Sequence, residues 1–222
     1  MINIRKLVEE KKVIGNYFSP DAYVQGDVEF GLIENRSGNR LIALPETLLQ
    51  GMYAGLDDEL GAGASVVLFS CGKWWGKNFY RRFAQELEDY YGKPVAQMEM
   101  IELLQCLKEC WKTHGWGTLE VDVKYYQQGF IVAKIFNSPF VESAPKGKRP
   151  MGYLEAGVLS AVFSQLSGQE LHCVQTSCES MGAPSNIFVV GLNERLKPIL
   201  AWVEESHDHG TIMELLCRNQ TV

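Results

Sequence analysis

Long hydrophobic runs are missing from this sequence. No stretch approaches the roughly 20 apolar residues that a membrane-spanning helix requires. The start, MINIRKLVEEKKVIG, also lacks the apolar core of a secretory signal peptide. With 46% hydrophobic and 22% charged residues, the composition is that of an ordinary globular protein. We therefore predict a cytoplasmic protein, at most peripheral to a membrane.

Clustered positive charge is missing as well. The chain has 21 Lys and Arg against 27 Asp and Glu, a formal net charge of −6, and its densest basic run is KGKR at residues 146–149. Nucleic-acid binding requires a concentrated basic face, so this function class is disfavoured and the run is interpreted as a solvated loop. Phosphate-binding motifs are absent too, because GAGAS at residues 61–65 lacks both the Lys of a P-loop and a preceding strand.

The six cysteines stand in a sequence without an export signal. Such cysteines are expected to be free thiols in a reducing compartment. A chain of 222 residues buries roughly 70% of the surface that its unfolded form exposes, so a core without disulfides suffices. We find no repeats, low-complexity segments or domain linker.

Hydrophobic periodicity predicts the order of elements. A short N-terminal helix is followed by an arm, GNYFSPDAY, whose aromatic side chains we expect to dock on the body of the protein or on a partner chain. A hairpin is then predicted around the turn residues NRSGN. Helical spacing is found at residues 45–56, 63–91, 98–111, 153–168 and 193–205. The helix at 63–91 offers one apolar face with Val66, Phe69, Trp74, Phe79 and Phe83.

Alternating apolar and polar residues predict an antiparallel sheet. The clearest strand pair is TLEVDVKYYQQGFIVAKIF, in which QQG turns the chain back. Two more strands are predicted at residues 171–176 and 186–191. Small residues at Ala156, Gly157 and Ala161 predict that the helix before these strands packs closely on a neighbour.

Several short motifs, in this order and spacing, resemble the 4-vinyl reductase domain family. They are GWG at 115–117, NSPF at 137–140, AG at 156–157, LSG at 166–168, and Cys178, Gly182 and Phe188. The resemblance covers about residues 27–191, which would form the ligand-binding domain. Residues 1–26 would then be an N-terminal helix and arm, and residues 192–222 a C-terminal helical extension of the same domain.

The resemblance implies an α/β fold of the α+β type. Its expected form is a twisted antiparallel sheet with packed helices, related to subunits of vesicle-tethering complexes, here with an added N-terminal hairpin. It also implies an apolar pocket for a hydrophobic ligand such as haem or another tetrapyrrole. The stand-alone form resembles cyanobacterial members linked to photosystem II assembly. The expected role is therefore pigment handling by a homodimer, with photosystem assembly proteins as partners, in the cytoplasm or at the thylakoid membrane.

Two alternatives to a carrier stay open. One is an enzyme or enzyme subunit that reduces a vinyl group of a chlorophyll precursor. This chemistry needs a hydride or electron donor, for which the sequence shows no site, so a non-enzymatic protein is favoured. The other alternative is a ligand-free scaffold for membrane-protein assembly.

Some family members bind zinc through cysteines and an acidic residue. The corresponding positions here are Met151 (or Gly152), Gln175, Cys178 and Asn186. Only one thiol remains, and neutral amides supply neither the charge nor the softness that structural zinc prefers. Strand alternation places His172 and Cys173 on opposite faces, so they cannot complete the site together. We predict no zinc here and interpret Cys178 as a small buried residue.

Cys106, Cys110 and His114 follow one another at helical spacing in the helix at 98–111 and just after it. Thiolate and imidazole are the usual axial ligands of haem iron, so these residues are candidates for ligation in a tetrapyrrole pocket. The alternative is that they fill the core, as buried cysteines commonly do. The H-x-H pattern at residues 207–209 has no third ligand predicted nearby and is interpreted as an exposed helix end.

Adjacent tryptophans occur in the basic run CGKWWGKNFYRR. Such a pair can stack on a flat conjugated ligand, or place one ring in the core and one at an interface. Glu86, Glu88 and Asp89 are expected to pair with the basic residues at helical spacing. The predicted ligand-binding residues are Trp74, Trp75, Leu103, Cys106, Leu107, Cys110, Trp111, His114, Phe130 and Tyr153.

Overall fold

The computed structural model describes residues 15–27, 29–142 and 149–218. Among them the helices are α1 (Pro20–Tyr23), α2 (Glu46–Leu60), α3 (Ala64–Tyr91), α4 (Met100–Thr113), α5 (Pro139–Glu142), α6 (Tyr153–Ser167), α7 (Asn193–Leu196), α8 (Ile199–Glu204) and α9 (His209–Arg218). The strands are β1 (Val24–Asp27), β2 (Leu32–Asn35), β3 (Arg40–Leu41), β4 (Thr118–Asp122), β5 (Ile131–Phe136), β6 (His172–Ser177) and β7 (Asn186–Gly191). The predicted N-terminal helix lies outside the described residues.

The chain forms two compact units. The first contains the described residues up to Pro45 together with Arg81–Trp116, and the second contains Glu46–Tyr80 and the described residues from Gly117 onward. The long helix α3 therefore contributes to both units. The mixture of helices and antiparallel sheet confirms the predicted fold class, and the two sheets are open.

The first unit carries a small sheet of order β1-β2-β3, in which both strand pairs are antiparallel. The predicted hairpin is confirmed, with Gly38 at φ +74° in its turn, a value that glycine adopts without strain. The arm docks on this unit as Tyr17, Phe18 and Tyr23 are all buried, and Phe18 stacks on Phe83 with ring centroids 5.6 Å apart. Aromatic burial therefore fixes the arm.

Helix α4 is the most regular element of the first unit. Glu99 and Glu102 form a capping box at its start, which satisfies backbone N–H groups that would otherwise lack partners. The helical spacing predicts an apolar stripe of Met100, Leu103, Leu104, Leu107 and Trp111, and all of these side chains are buried except Met100, which is 53% exposed. Gly115 follows the helix at φ +72°, as expected for a C-terminal stop.

The second unit is built on a four-stranded antiparallel sheet of order β4-β5-β7-β6. Thr118 pairs with Phe136 and Asp122 with Val132 in the predicted hairpin, and β7 lies in the middle of the sheet between β5 and β6. One core cluster joins the sheet to the C-terminal helices and contains Phe130, Val132, Val189, Leu196, Ile199, Val203, Ile212, Met213 and Leu216.

Helices α3 and α6 pack at very short range within the second unit. A Cβ atom on Gly157 would lie 2.2 Å from the Phe69 carbonyl oxygen, and one on Gly72 would lie 2.1 Å from the Leu154 carbonyl oxygen. Only residues without a side chain allow two helix backbones to approach this closely. The predicted close packing of the small residues in α6 is thus confirmed, and it holds the buried face of α6 in a fixed position.

Two predictions about packing and helix extent were wrong. Val66 and Trp74 were expected on the apolar face of α3, yet they are 66% and 71% exposed. The helix predicted at 193–205 is divided into α7 and α8, with Pro198 between them, because proline removes a backbone donor and clashes with the preceding turn. A further helix, α9, begins at His209, so the H-x-H pattern lies at a helix end as interpreted from the sequence, although no separate helix was predicted there.

Candidate functional site

The second unit buries a carboxyl group inside its most apolar helix. Glu155 lies in the first turn of α6 and is 0% exposed. The neighbouring turn before α5 contributes Ser138, whose hydroxyl donates a hydrogen bond of 2.8 Å to Glu155 Oε1. The same hydroxyl oxygen accepts a hydrogen bond from the Phe140 backbone N–H, so the single Ser138 hydrogen is committed to Glu155.

The second carboxyl oxygen of this group is different. Glu155 Oε2 is buried and has no hydrogen-bond partner among the described residues. A buried polar atom without a partner costs about 1–3 kcal/mol. Such atoms are rare in native proteins, and each one therefore requires an explanation.

Helix α2 supplies a second atom of this kind. Tyr53 is the buried residue of α2 and is 4% exposed, and its hydroxyl also has no hydrogen-bond partner within the described part of the chain. The ring anchors α2 through apolar burial, but the hydroxyl contributes nothing to that anchoring. Tyr53 and Glu155 interact electrostatically without hydrogen-bonding to each other. We call these two residues the Tyr53–Glu155 pair.

Burial controls the protonation of the pair. Burial raises the pKa of Glu155 to about 8, the negative charge of Glu179 adds to this shift, and the Ser138 hydrogen bond opposes it. Burial likewise raises the pKa values of Tyr53 and of Cys173, and the Glu155 carboxyl raises both further. At neutral pH the carboxyl is therefore largely protonated. Since Oε1 accepts from Ser138, the proton belongs on Oε2, and the pair presents two O–H donors.

A network of amides joins the positions at which zinc was considered. The Gly152 backbone N–H donates to Gln175 Oε1 (2.8 Å), and Gln175 Nε2 donates to Asn186 Oδ1 (3.1 Å). Asn186 Nδ2 in turn donates to the Glu179 carboxylate (2.7 Å). We call these four residues the amide network. The residues present do not fit zinc, because two of the four proposed positions are amides that already satisfy each other.

Cys178, another of the four positions considered for zinc, is buried as predicted. It is 0% exposed, and its Sγ lies 3.0 Å from Ser180 Oγ. Met151, the fourth position, is half-buried. Cys173 is buried while His172 is half-buried with its ring 4.6 Å from that of Phe69, so the predicted opposite orientation of these neighbours is confirmed.

The haem-ligand candidates lie together on helix α4 and at its end in the first unit. Cys106 and Cys110 are buried, as are Leu103, Leu107 and Trp111. Burial raises the pKa of the Cys110 thiol well above its ordinary value, with Glu86 and Cys106 adding to the shift. Burial raises the pKa of Cys106 to about 11. Both thiols therefore stay protonated at neutral pH, which disfavours them as thiolate ligands.

Unlike the two thiols, which keep their proton, the His114 side chain favours its deprotonated, neutral form. Its Nδ1 lies 2.8 Å from the Cys110 carbonyl oxygen, and its ring packs against Tyr23 and Trp116 at centroid distances of 5.3 and 4.7 Å. Burial lowers the pKa of His114, so the ring is neutral near pH 7. A carbonyl can only accept, which assigns the proton to Nδ1 and the lone pair to Nε2.

Glu86 makes its hydrogen bonds outside α3, and the expected pairing with a basic residue is present only as a charge interaction with Arg82. It is 4% exposed and accepts hydrogen bonds from Tyr23 (3.2 Å) and from the side-chain amides of Asn35 (2.5 Å) and Asn39 (3.4 Å). Burial raises its pKa, and the hydrogen bonds oppose the shift. Glu86 thus fastens the hairpin to α3. Glu88 accepts from the Val95 backbone N–H, which is also not the partner expected.

The other predicted ligand-binding residues are dispersed in the second unit. Trp74 is exposed, whereas Trp75 is half-buried with its ring 5.6 Å from that of Phe140. Phe130 belongs to the core cluster and packs under the Arg195 guanidinium, 4.0 Å from the ring centroid. Tyr153 is half-buried at the first position of α6.

Local hydrogen bonds account for two residues of the H-x-H pattern. Asp208 caps α9 by accepting from the Thr211 backbone N–H (2.9 Å), and His209 Nδ1 lies 2.9 Å from Thr176 Oγ1. His209 is therefore tied to strand β6. In the described part of the chain, no three His, Cys, Asp or Glu side chains are grouped closely enough to hold a metal ion.

Sequence reasoning missed Tyr53, Ser138 and Glu155. A signal for one of them was present: Glu155 is the lone charged residue in YLEAGVLSAVF, and a single carboxylate in an apolar helix is costly unless it is neutral or paired. For Tyr53 no comparable signal exists, because α2 offers many apolar residues and the sequence does not indicate which one is buried.

The second unit belongs to the class of folds in which helices pack on an open antiparallel sheet. Residues 131–192 match the family model of the 4-vinyl reductase domain. This segment contains β5 to β7 and α6, and hence Glu155 and the amide network. A search of curated protein sequences found no match.

Solved structures extend the similarity beyond that segment. The phenol-responsive sensory domain of the transcription activator PoxR, solved with phenol, matches with a TM-score of 0.64 and 14% identity, over 91% of this chain and 96% of that one. A trafficking protein particle complex subunit 3 from Naegleria fowleri, covalently bound to palmitic acid, matches with a TM-score of 0.50 and 15% identity, over 67% and 95%. These likenesses establish a shared fold.

A third solved structure that matches is a protein of the vinyl-4-reductase family. A vinyl-4-reductase family protein from Methanocaldococcus jannaschii matches with a TM-score of 0.45 and 19% identity, over 68% of this chain and 82% of that one. Among the described residues, no helix is both long and apolar enough to span a bilayer.

Proposed function

We propose that this protein binds a hydrophobic small molecule in its second unit. The observation that carries the proposal is the Tyr53–Glu155 pair, which keeps two O–H groups buried and without partners in the described structure. Binding sites for small molecules are mostly apolar and contain a few polar groups that fix the orientation of the ligand. Unsatisfied donors in an apolar interior are the groups that such a ligand would satisfy.

The comparisons support this proposal at the level of the fold. The match to the 4-vinyl reductase domain covers the segment that contains Glu155, and a domain of the same fold was solved with phenol. Another was solved with palmitic acid attached. These molecules are chemically unlike each other, so the fold supports binding of an apolar guest without specifying which one.

The test is to ask what the isolated protein contains. Native mass spectrometry of the purified full chain is expected to show an added mass that disappears after denaturation, and extraction then identifies the compound. Titration with haem, protoporphyrin and a bilin, followed by quenching of the five tryptophans, is the complementary measurement. Absence of both an added mass and saturable quenching would contradict the proposal and favour a ligand-free scaffold.

A second candidate is a tetrapyrrole held by the first unit through His114. The observation that favours it is the Nδ1 contact with the Cys110 carbonyl oxygen. Histidines that bind metals usually donate one ring N–H to a carbonyl or carboxylate, which orients the ring. Haem iron, when bound, would take one axial ligand from the His114 imidazole. Pigment handling in photosystem II assembly, by a homodimer at the thylakoid membrane, rests on the sequence resemblance alone.

Single substitutions separate His114 from the thiols. We expect His114→Ala to shift or abolish the Soret band of added haem, while Cys110→Ala leaves it unchanged, because the buried thiol stays protonated. Cys71→Ala provides a control at an exposed cysteine. An unchanged spectrum in the His114 variant would refute the ligand assignment but not the binding of other small molecules.

A further inference from the structure

The Tyr53–Glu155 pair also specifies which chemical group it would recognise, an inference that rests on the proposed function. Ser138 donates its only hydrogen to Glu155 Oε1, so Oε1 acts as an acceptor. In the neutral carboxyl the proton then lies on Oε2, which has no partner among the described residues. The Tyr53 hydroxyl is a second unpartnered donor, and it lies within range of the Glu155 charge, which raises the pKa of Tyr53.

Two donors without an acceptor favour one kind of ligand group. A carbonyl oxygen has two lone pairs and no hydrogen, so it can accept from both O–H groups at once. An ammonium group offers hydrogens and no lone pair, and would require the buried carboxyl to ionise. Ionising a fully buried carboxyl is costly, and the nearby Glu179 charge raises that cost further.

We propose that Tyr53 and Glu155 form a double hydrogen-bond donor that selects a neutral, largely apolar ligand carrying a carbonyl oxygen. An apolar interior can keep a carboxylic acid protonated at neutral pH so that it donates a hydrogen bond, and a tyrosine beside it can donate a second one. The apolar part of the ligand supplies most of the binding free energy, and the pair fixes its orientation.

The proposal predicts a specific pH dependence. The groups that face Glu155 are Ser138, Tyr53, Cys173 and Glu179. The pKa values of Tyr53 and Cys173 are raised, so these groups remain protonated in mildly alkaline solution. The pKa of Glu155 is about 8, so its donor is lost as the pH rises above that value. Preference for a carbonyl should therefore weaken at high pH.

The experiment uses three probes of the same shape: acetophenone, ethylbenzene and 1-phenylethylamine. Binding to the full chain is measured by calorimetry at pH 6 and pH 9.5. We expect acetophenone to bind about tenfold more tightly than ethylbenzene at pH 6, because its oxygen accepts from buried donors that the hydrocarbon leaves unpaired; tenfold corresponds to about 1.4 kcal/mol. At pH 9.5 this preference should shrink severalfold.

Two variants distinguish recognition from a structural role. Glu155→Gln keeps an acceptor for Ser138 and an N–H donor in place of Oε2–H, but it cannot ionise, so its ketone preference should persist at pH 9.5. Tyr53→Phe should lose part of the preference at both pH values. Tyr17→Phe, which removes a phenol hydroxyl bonded to Ser37 in the other unit, should bind like wild type.

The outcomes separate this inference from the proposed function. Equal binding of ketone and hydrocarbon, or a preference unaffected by Glu155→Gln and Tyr53→Phe, would overturn the carbonyl assignment and leave small-molecule binding intact. That result is expected if ordered water satisfies both donors. Tightest binding by the amine would also overturn the assignment. If none of the probes binds, the assignment fails, and mass spectrometry of the isolated protein decides the proposed function separately.

Discussion

Replacing Tyr53 by phenylalanine should make the protein more stable, although most changes in a core destabilise. The ring of Tyr53 is buried at 4% exposure, and phenylalanine retains it without the hydroxyl. That hydroxyl has no partner in the described structure, and burying an unsatisfied polar group costs about 1–3 kcal/mol. We therefore expect Tyr53→Phe to raise the free energy of unfolding by about 1 kcal/mol.

Urea denaturation and calorimetry of the ligand-free protein provide the measurement. For a chain of this length, a gain of about 1 kcal/mol corresponds to a Tm increase of about 2–4 °C. Tyr17→Phe is the matched control, because the Tyr17 hydroxyl lies 2.6 Å from Ser37 Oγ, and its removal should cost about 1 kcal/mol. A Tyr53→Phe variant that is less stable than wild type would show that the hydroxyl is already satisfied, and would refute the reasoning.

Four further substitutions test the electrostatics and packing of the second unit. Because burial raises the pKa of Glu155 from 4.5 to about 8, wild type should lose stability relative to Glu155→Gln as the pH rises from about 4.5 to 8, measured by urea denaturation along a pH series. Gly157→Ala should cost about 3 kcal/mol, because its Cβ would lie 2.2 Å from a carbonyl oxygen. Gly55→Ala, with open space around it in α2, should instead gain about 0.5–1 kcal/mol, and equal effects of the two changes would contradict the close packing. Gln175→Ala should cost about 1–3 kcal/mol, since it leaves the buried Gly152 N–H unpaired; a neutral result in thermal denaturation would mean that the amide network contributes nothing.

Many helices and strands could be predicted from the sequence because the hydrophobic periodicity that indicates them is a local property. The strand pair around Gly129 and the apolar stripe of α4 repeat at the periods of strands and helices, and both are confirmed. The apolar face of α3 was predicted less well, since Trp74 fits the spacing but is exposed. Hydrophobic periodicity alone does not determine which residues on a broad apolar face are buried by a neighbouring helix or strand.

The candidate site could not be predicted in the same way. Tyr53, Ser138 and Glu155 are far apart along the chain, and their relation depends on how α2 and α6 pack, which no local pattern encodes. A buried carboxyl is inconspicuous in sequence, because its unusual protonation arises only when solvent is removed. The amide network was anticipated only as a set of poor zinc ligands. That Gln175 and Asn186 satisfy each other required coordinates.

The amide network holds the β6–β7 connection together without a metal ion. A cluster of thiolates around an ion falls apart when a chelator removes the metal or an oxidant modifies the sulfur. Hydrogen bonds among Gly152, Gln175, Asn186 and Glu179 need neither an ion nor a reducing agent. EDTA treatment should therefore leave this part of the fold intact.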